Sequence, residues 1–274
     1  MAKIKIIILE LFTNLQLIWA VSRYNNKSDY EGTKFGKIWE ILDPIIQVGI
    51  YFFMFGSIRG RSDVYFGFEE VEMVAFFPWM LAGMVAWMFM KKTTSSGSKS
   101  VVKKLSLVSK MKFPMSILPA MTIASVLPSL LVTIVVAMVI LPMYGIFPNL
   151  YWLQLIYYVF AVIVFMYFFA LLNSTIMILF KDYAQVLGPF MRFNMFFAGV
   201  IWRRETVFPT WFVRLMDLNP LTYIVDGFRY SFFREALFWQ HWETTLFFWL
   251  MMLLLAIAAS HFHLKLRNKF IDLD

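Results

Sequence analysis

Arginine and lysine are the side chains of this sequence whose positions could bind a charged ligand. Arg192 lies inside an apolar stretch, Arg203 and Arg204 follow Trp202, and residues 91–114 form the most basic segment. Arginine pairs well with anionic groups, and an ionisable residue within membrane-spanning sequence is a functional candidate by default. Arg192 could equally extend its guanidinium to the aqueous boundary, so both interpretations stay open for it.

The motifs of the common enzyme classes are missing or incomplete. A phosphate-binding loop ends in Gly-Lys-Ser/Thr, and the nearest string, Gly97-Ser98-Lys99-Ser100, lacks that pair and the earlier glycine. His261 and His263 are two residues apart, so they face different sides of a helix and do not suit a metal. Cysteine is absent, which excludes thiolate chemistry. We therefore expect no enzyme activity, no metal and no cofactor held by this chain.

Composition assigns the chain to a membrane. Hydrophobic residues make up 61% and charged residues 15% of its 274 residues, whereas a soluble domain is nearer half apolar and a quarter charged. The net charge of +8 could suggest nucleic acid, but a basic excess facing anionic lipid explains it better. We expect an all-α integral membrane protein with six transmembrane helices. The predicted passes are residues 38–58, 73–90, 115–141, 151–180, 190–202 and 244–264.

The lysines predict the orientation of these passes. If the N-terminus lies in the cytosol, every lysine falls before pass one, between passes two and three, between four and five, or after six. Cationic loops resist translocation, so this asymmetry predicts that both termini are cytosolic.

Two parts of the chain are not simple passes. Residues 4–21 are apolar but carry Glu10, Thr13 and Asn14 on one side, which favours an interfacial helix within an N-terminal segment 1–37. If residues 4–21 crossed the membrane instead, every later loop would lie on the opposite side of the membrane, and the lysine-rich loops would face outward. The remainder, 38–274, forms the predicted six-helix transmembrane domain and contains short helices predicted over 211–218 and 221–237. Polar backbone at membrane depth requires protein or water around it, so this outer re-entrant pair implies a cavity or an oligomer interface.

Four motifs occur in order along the chain. They are Tyr30-Glu31-Gly32-Thr33-Lys34-Phe35-Gly36-Lys37-Ile38-Trp39-Glu40-Ile41-Leu42-Asp43-Pro44; Lys110-Met111-Lys112-Phe113-Pro114 with Ile117-Leu118-Pro119; Phe180-Lys181-Asp182; and Leu218-Asn219-Pro220-Leu221 with Arg229 downstream. This set resembles permeases of ATP-binding-cassette exporters for bacterial polysaccharides, most closely teichoic acid translocation permeases, with O-antigen and capsule exporters next. Glu31 and Asp43 depart from the family pattern.

The resemblance implies a division of labour between chains. Such permeases act as homodimers in the bacterial cytoplasmic membrane, with two copies of a nucleotide-binding ATPase subunit that holds ATP and Mg. The substrate would be a lipid-linked anionic polymer such as teichoic acid. The contact with the ATPase is predicted at Lys103, Lys104, Lys110, Lys112, Phe113, Pro114, Lys181 and Asp182, and ordinary membrane-surface anchoring is the alternative for the lysines.

The same resemblance suggests a substrate pathway. Arg192 could meet the carrier pyrophosphate, Arg203 and Arg204 could face an anionic polymer at the outer exit, and Tyr51, Phe55 and Phe197 could touch sugar or simply pack. A neutral-polysaccharide exporter is the first alternative. A membrane-embedded glycosyl- or acyltransferase would need a His/Asp or paired-acid constellation, and a secondary transporter would need a charged relay at mid-membrane. The sequence provides neither.

Overall fold

The computed structural model describes residues 2–28, 33–57, 63–66, 72–104, 114–180, 182–234 and 236–267. These residues are predominantly helical. The α-helices are α1 (Ala2–Thr13), α2 (Leu15–Ser28), α3 (Trp39–Tyr51), α4 (Phe76–Ser98), α5 (Ile117–Ile140), α6 (Leu155–Leu179), α7 (Tyr183–Phe197), α8 (Arg204–Val207), α9 (Thr210–Asp217), α10 (Pro220–Phe233) and α11 (Trp242–Leu266). Short helical turns cover Gly36–Ile38, Phe52–Ser57, Val102–Lys104, Leu141–Tyr144 and Leu150–Gln154.

A β-hairpin between α3 and α4 departs from the all-α expectation. Strand β1 (Asp63–Phe66) pairs antiparallel with β2 (Glu72–Ala75), and Asp63 lies opposite Ala75. β1 contains valine, tyrosine and phenylalanine, which suit a strand better than a helix. From the sequence, residues 59–72 are expected to connect passes one and two, and residues 73–75 to begin pass two, so neither strand is predicted.

Helix α4 forms the centre of the protein. Every residue from Phe77 to Trp87 is buried, and α4 packs against α5, α6, α7 and α10. A helix that is apolar on all sides is stable only when other elements surround it, and α4 meets that condition. Pro78 lies in its first turn, where a missing N–H costs no helical hydrogen bond.

Three helical stretches are long and apolar enough to cross a membrane. They are Ile117–Tyr144, Leu150–Leu179 and Trp242–Leu266. The bent pair formed by α1 and α2 passes the same test as a broken span or a re-entrant loop. Among the described residues, length and composition therefore support three or four spans. The predicted six are not confirmed, because α7 is short and the last turns of α4 are polar.

The N-terminal segment is two helices rather than one. The predicted single helix over 4–21 breaks at Asn14, where the chain bends by 66°. The Asn14 side-chain amide donates to the backbone oxygen of Glu10 (2.8 Å), and such local side-chain bonds compete with regular helix. Helix α1 packs along α11, and α2 packs on α5.

The ends of the helices define two ends of the molecule. Glu10 contacts both Ser116, directly before α5, and Arg267, directly after α11. The end where α4, α6 and α11 finish and α5 and α7 begin is called the basic end. The opposite end, where α8 to α10 lie, is called the aromatic end. Residues around Trp152, Trp202, Trp239 and Trp242 belong to it.

The helices around the aromatic end begin and end for local reasons. The helix predicted as pass five, 190–202, instead runs from Tyr183 to Phe197. Gly199 then adopts a φ of +64°, a conformation that only glycine takes easily. Helices α9 and α10 lie close to the predicted short helices. The Asn219 side chain accepts from the backbone N–H of Leu221 at the start of α10, and Pro220 occupies its first position.

Candidate functional site

A cavity of about 390 Å³ opens toward the basic end between α3, α4 and α7. Helix α4 contributes positions 87, 91, 94, 95, 98 and 99, which share one helical face. Helix α7 contributes positions 184, 187, 188, 191, 192 and 195, which also share a face. The two helices pack directly on one another. The three- and four-residue spacing of these positions therefore places them on the facing sides of α4 and α7, which form the two long walls of the cavity.

The lining combines positive charge with apolar surface. Its cations are Lys91 and Lys99 on α4 and Arg192 on α7, and among the lining side chains that the structure describes none is acidic. Tyr51 from α3 and Trp87 from α4 add aromatic surface. Such a lining suits an amphiphilic ligand that carries a negatively charged group, because the cations lack carboxylate neighbours in the cavity.

The deep cations lie at matching depths. Lys91 is eight residues before Lys99, and Arg192 is eight residues after Ala184, so each lies about 12 Å along its helix from the mouth. Helices α4 and α7 run in opposite directions here, so Lys91 and Arg192 lie between the basic-end pair Lys99 and Ala184 and the deeper pair Trp87 and Met195.

A second cavity of about 370 Å³ adjoins the first through shared residues Lys91 and Ser95. It lies between α3, α4 and α5, and its lining includes Asp43, Gln47 and Ser129. The polar lining therefore continues around α4, and Lys91 belongs to both spaces.

A compact ion-pair cluster occupies the aromatic end. Arg204 Nη2 lies 2.7 Å from an Asp226 oxygen and 3.1 Å from an Asp217 oxygen, with Glu205 at 3.9 Å. The Arg204 side chain is 8% exposed. Burial alone would lower the pKa of Arg204, but the neighbouring carboxylates raise it above its ordinary value. Arg204 is therefore a charged residue whose charge is already compensated within the protein.

Arg229 joins the same cluster from α10. Its Nη1 donates to Asp226 (3.0 Å), and its Nη2 donates to the backbone oxygens of Gly199 (2.8 Å) and Val200 (3.0 Å). Asp226 and Arg229 are three residues apart on α10 and form an ion pair. These bonds join α10 to the turn after α7.

The Arg229 guanidinium is also enclosed by α4. It lies 3.6 Å from the centre of the Trp79 ring, within range of a cation–π interaction. A Cβ at Gly83 would lie only 2.8 Å from Arg229 Nη2. Glycine at this position, one turn after Trp79, therefore lets the guanidinium lie against the helix.

A comparison with known protein families shows the family to which the chain belongs. The model of the ABC-2 type transporter family matches residues 16–233, well over half of the sequence. This chain belongs to the ABC-2 type transporter family. Members of the family are transport subunits without an ATPase of their own, and this permease is a multi-pass protein of the inner membrane.

Individual relatives are distant but cover nearly the whole permease. Two O-antigen export system permease proteins RfbA from Klebsiella pneumoniae are 20% and 21% identical over 258 residues, which is 94% of each chain. An RfbA of the same description from Myxococcus xanthus is 20% identical over 235 residues, covering 85% of this chain and 84% of the relative. The similarity therefore spans the cavity and the cluster alike.

The permease brings together two residues of the predicted substrate pathway. Tyr51 and Arg192 line the same cavity. Phe197 does not line it, and its ring instead lies 5.3 Å from Phe193 and 6.0 Å from Phe212. Phe55 lies in the helical turn after α3, but its side chain is outside the described ones. Arg203 and Arg204 belong to the ion-pair cluster, where Arg203 pairs with Glu205 and Arg204 with Asp226, and their contact with an exported polymer stays a prediction.

The predicted ATPase contact is described only in part. Lys103 and Asp182 are exposed at the basic end, and Pro114 is half-buried. Lys104 Nζ donates to the Asn25 side chain (3.5 Å), which links this segment to α2. The other four predicted contact residues, Lys110, Lys112, Phe113 and Lys181, lie outside the described residues.

Two lining residues and one packing residue were missed by the sequence reasoning. In the sequence, Lys91 stands out only as part of the basic segment 91–114, and Trp87 and Gly83 belong to no motif. Trp79, Gly83, Trp87, Lys91, Ser95 and Lys99 follow one another every four residues, and this spacing was the available signal.

Proposed function

We propose that this chain is the membrane permease of an ATP-driven exporter that moves a lipid-linked polysaccharide from the cytosolic to the outer side of the bacterial inner membrane. The observation that carries the proposal is a family match over a chain whose described core holds a basic, aromatic-lined cavity. A carrier pyrophosphate with its first sugars and lipid tail has the amphiphilic chemistry that this cavity suits.

The O-antigen exporters support a polysaccharide of that kind ahead of teichoic acid. The three relatives are named as O-antigen export permeases. The Arg204 charge is compensated, which removes one sequence argument for an anionic polymer at the outer exit. We therefore place O-antigen or capsular polysaccharide first, and a teichoic acid becomes the second substrate for the test below.

In this proposal the basic end faces the cytosol, as the lysine distribution indicates. Lys91 and Arg192 bind the carrier pyrophosphate, and Tyr51 and Trp87 contact the first sugars or the lipid. Two copies of the permease assemble with two copies of a nucleotide-binding subunit, which binds ATP and Mg. Movement of that subunit reaches the permease through residues 102–114 and the turn before α7.

The decisive experiment is reconstitution with a nucleotide-binding subunit encoded beside the permease. We expect the permease alone to show no ATPase activity, and the pair to hydrolyse ATP and to restore surface polysaccharide in cells whose own O-antigen permease has been deleted. Restoration of wall teichoic acid export in place of O-antigen would select the second substrate. A pair that hydrolyses ATP but moves neither polymer would contradict the proposal.

The coupling assignment has its own test. Phe113→Asp should leave assembly intact and lower the ATP-driven export, because a charge replaces an aromatic side chain at the proposed contact. The matched control is Phe35→Asp, an exposed phenylalanine at the start of the described segment before α3. Export at the wild-type rate by the Phe113→Asp pair would remove residue 113 from the contact.

A further inference from the structure

A small cavity at the aromatic end is separate from the basic cavity and has a different chemistry. It measures about 120 Å³ and lies over the ion-pair cluster. Its floor is formed by Arg229, Asp226 and Trp79, and its partly exposed rim includes Trp202 and Tyr230. Polar groups on an aromatic-lined depression are the usual composition of a small-ligand site.

The charges around this cavity balance. Its lining contains three arginines and two carboxylates, and Asp217, outside the lining, supplies a third carboxylate to Arg204. A free anion would have to compete with these carboxylates for the same guanidinium groups. A hydroxyl group is better suited, because it can donate to a carboxylate and accept from an arginine at once.

The aromatic rim adds the second requirement of a sugar site. Trp202 and Tyr230 present ring surface, and a pyranose offers hydroxyl groups at its edge and C–H groups on its face. The Trp202 Nε1 donates to the backbone oxygen of Phe196 (2.8 Å), which fixes the ring. The floor is fixed too, because Arg229 and Arg204 bond to backbone oxygens after α7. Binding to this preformed site costs little ordering entropy.

We propose that this cavity binds one neutral, hydroxyl-rich pyranose unit, with Trp202 and Tyr230 against its face and the Asp226–Arg229 and Glu205 groups at its hydroxyls. The cavity of about 120 Å³ encloses less than a complete pyranose, so one unit lies partly inside it and partly over the aromatic rim. The inference deepens the proposed function and rests on it for the source of the sugar, which is the exported chain as it reaches the aromatic end.

The absence of cysteine makes a clean test possible. A single cysteine at Thr206, an exposed residue beside the rim that does not line the cavity, reports on access without background. The matched reference is Glu243→Cys, exposed at the start of α11 and also outside the lining. Both variants are placed in lipid nanodiscs as the full chain, and the rate of maleimide labelling is measured. The added ligands are glucose, galactose, mannose, rhamnose or N-acetylglucosamine, with inorganic phosphate as the anionic probe.

At least one of these sugars should slow labelling of Thr206→Cys by the factor 1 + [L]/Kd, about fourfold at three times Kd, and leave Glu243→Cys unchanged. Adding Trp202→Ala should remove this protection, and Trp202→Phe should keep part of it. Tm values of the Trp202 variants show whether the fold is retained. The proposed sugar site would be overturned by any of three results: labelling slowed by phosphate alone, labelling slowed equally at both cysteines, or labelling slowed by none of the sugars.

The source of the sugar is tested separately. In cells that make the surface polysaccharide and carry the nucleotide-binding subunit, labelling of Thr206→Cys from outside should be slower than in cells lacking the polymer. Suppose that free sugar protects Thr206→Cys in nanodiscs but the labelling rates are equal in cells with and without the polymer. The exported chain would then not be the source of the bound sugar. Protection in nanodiscs without any export in cells would contradict the proposed function and leave the sugar site intact.

Discussion

The guanidinium of Arg229 lies 3.6 Å from the centre of the Trp79 ring, so a buried charge on α10 is held against the central helix α4. The same guanidinium bonds to Asp226 and to two backbone oxygens after α7. One side chain therefore joins three elements of the aromatic end.

Replacing Arg229 should destabilise the permease strongly. Arg229→Ala leaves the oxygens of Gly199 and Val200 without their donor, and removing one partner of a buried ion pair costs about 3–5 kcal/mol. Arg229→Lys should recover only part of this loss, because lysine lacks the planar fork. Thermal unfolding in detergent measures the effect. Arg214→Ala, at an exposed arginine of α9, is the control, and an equal loss there would contradict the assignment.

Gly83 should tolerate no side chain. Gly83→Ala places a Cβ 2.8 Å from Arg229 Nη2, which several bonds hold in place, so we expect a lower Tm. Gly49→Ala, in α3, has no atom within 4 Å of its new Cβ and should raise stability by roughly 0.5–1 kcal/mol. A similar Tm change in both variants would show that α4 and α10 separate easily.

Lys91 and Arg192 should matter for export more than for folding. Both are exposed to the basic cavity, so Lys91→Gln with Arg192→Gln should keep the Tm and reduce export. Arg192→Lys should retain more activity than Arg192→Gln because the charge is kept. Surface polysaccharide per copy of the permease is the measurement. The single variants Lys91→Gln and Arg192→Gln are each compared with Arg214→Gln, which also removes one positive charge, and equal losses there would remove the cavity from the pathway.

Glu10 and Arg267 should act as a pair that holds α1 on α11. Their atoms lie 3.1 Å apart, and both residues are partly exposed, so the pair is worth less than about 1 kcal/mol. We expect faster hydrogen exchange in α1 for Glu10→Gln and for Arg267→Ala. In the variant that carries both substitutions, the amide hydrogens of α1 should exchange no faster than in whichever single variant exchanges faster. Additive effects would mean that the two residues act independently.

The thermal stability of the permease should depend on pH through Asp217, which lies at the aromatic end. Burial raises the pKa of Asp217 above its usual 3.8, although Arg204 beside it acts in the opposite direction. Because the pKa of Asp217 is higher in the folded than in the unfolded chain, its protonation stabilises the fold. This stabilisation is complete below the unfolded-state pKa of 3.8 and is lost as the pH rises through the folded-state pKa. The Tm of Asp217→Asn minus that of the wild type should therefore be larger at pH 7 than at pH 4. Samples returned from pH 4 to pH 7 control for irreversible loss, and a difference that grows toward acid would contradict the prediction.

The sequence predicted the long apolar helices because composition alone determines them. Stretches 115–141 and 151–180 reappear as α5 and α6 with their flanking turns, and the short outer helices also appear close to their predicted places. Asn219-Pro220 is a local start signal that needs no tertiary contact. A glycosyl- or acyltransferase is only a remote alternative from the sequence, because no His/Asp or paired-acid constellation is visible in it.

Features that depend on distant partners could not be predicted in this way. The contact of Glu10 in α1 with Arg267, 257 residues away, is visible only in the folded chain. The charges of Arg203 and Arg204 were visible in the sequence, but Asp217 and Asp226 reach Arg204 only through folding. Lys91 could be identified as a cavity residue only once α7 was placed beside α4.

Trp79 lies in the first turn of α4 and Lys99 directly follows its last residue, and the helix between them is about 30 Å long without an internal break. Each four-residue step turns the stripe between them by about 40°, so the far ends point to different flanks of the rod. If the proposed ATPase subunit rotates α4 at the basic end, the aromatic end will rotate with it, because the helix has no internal break.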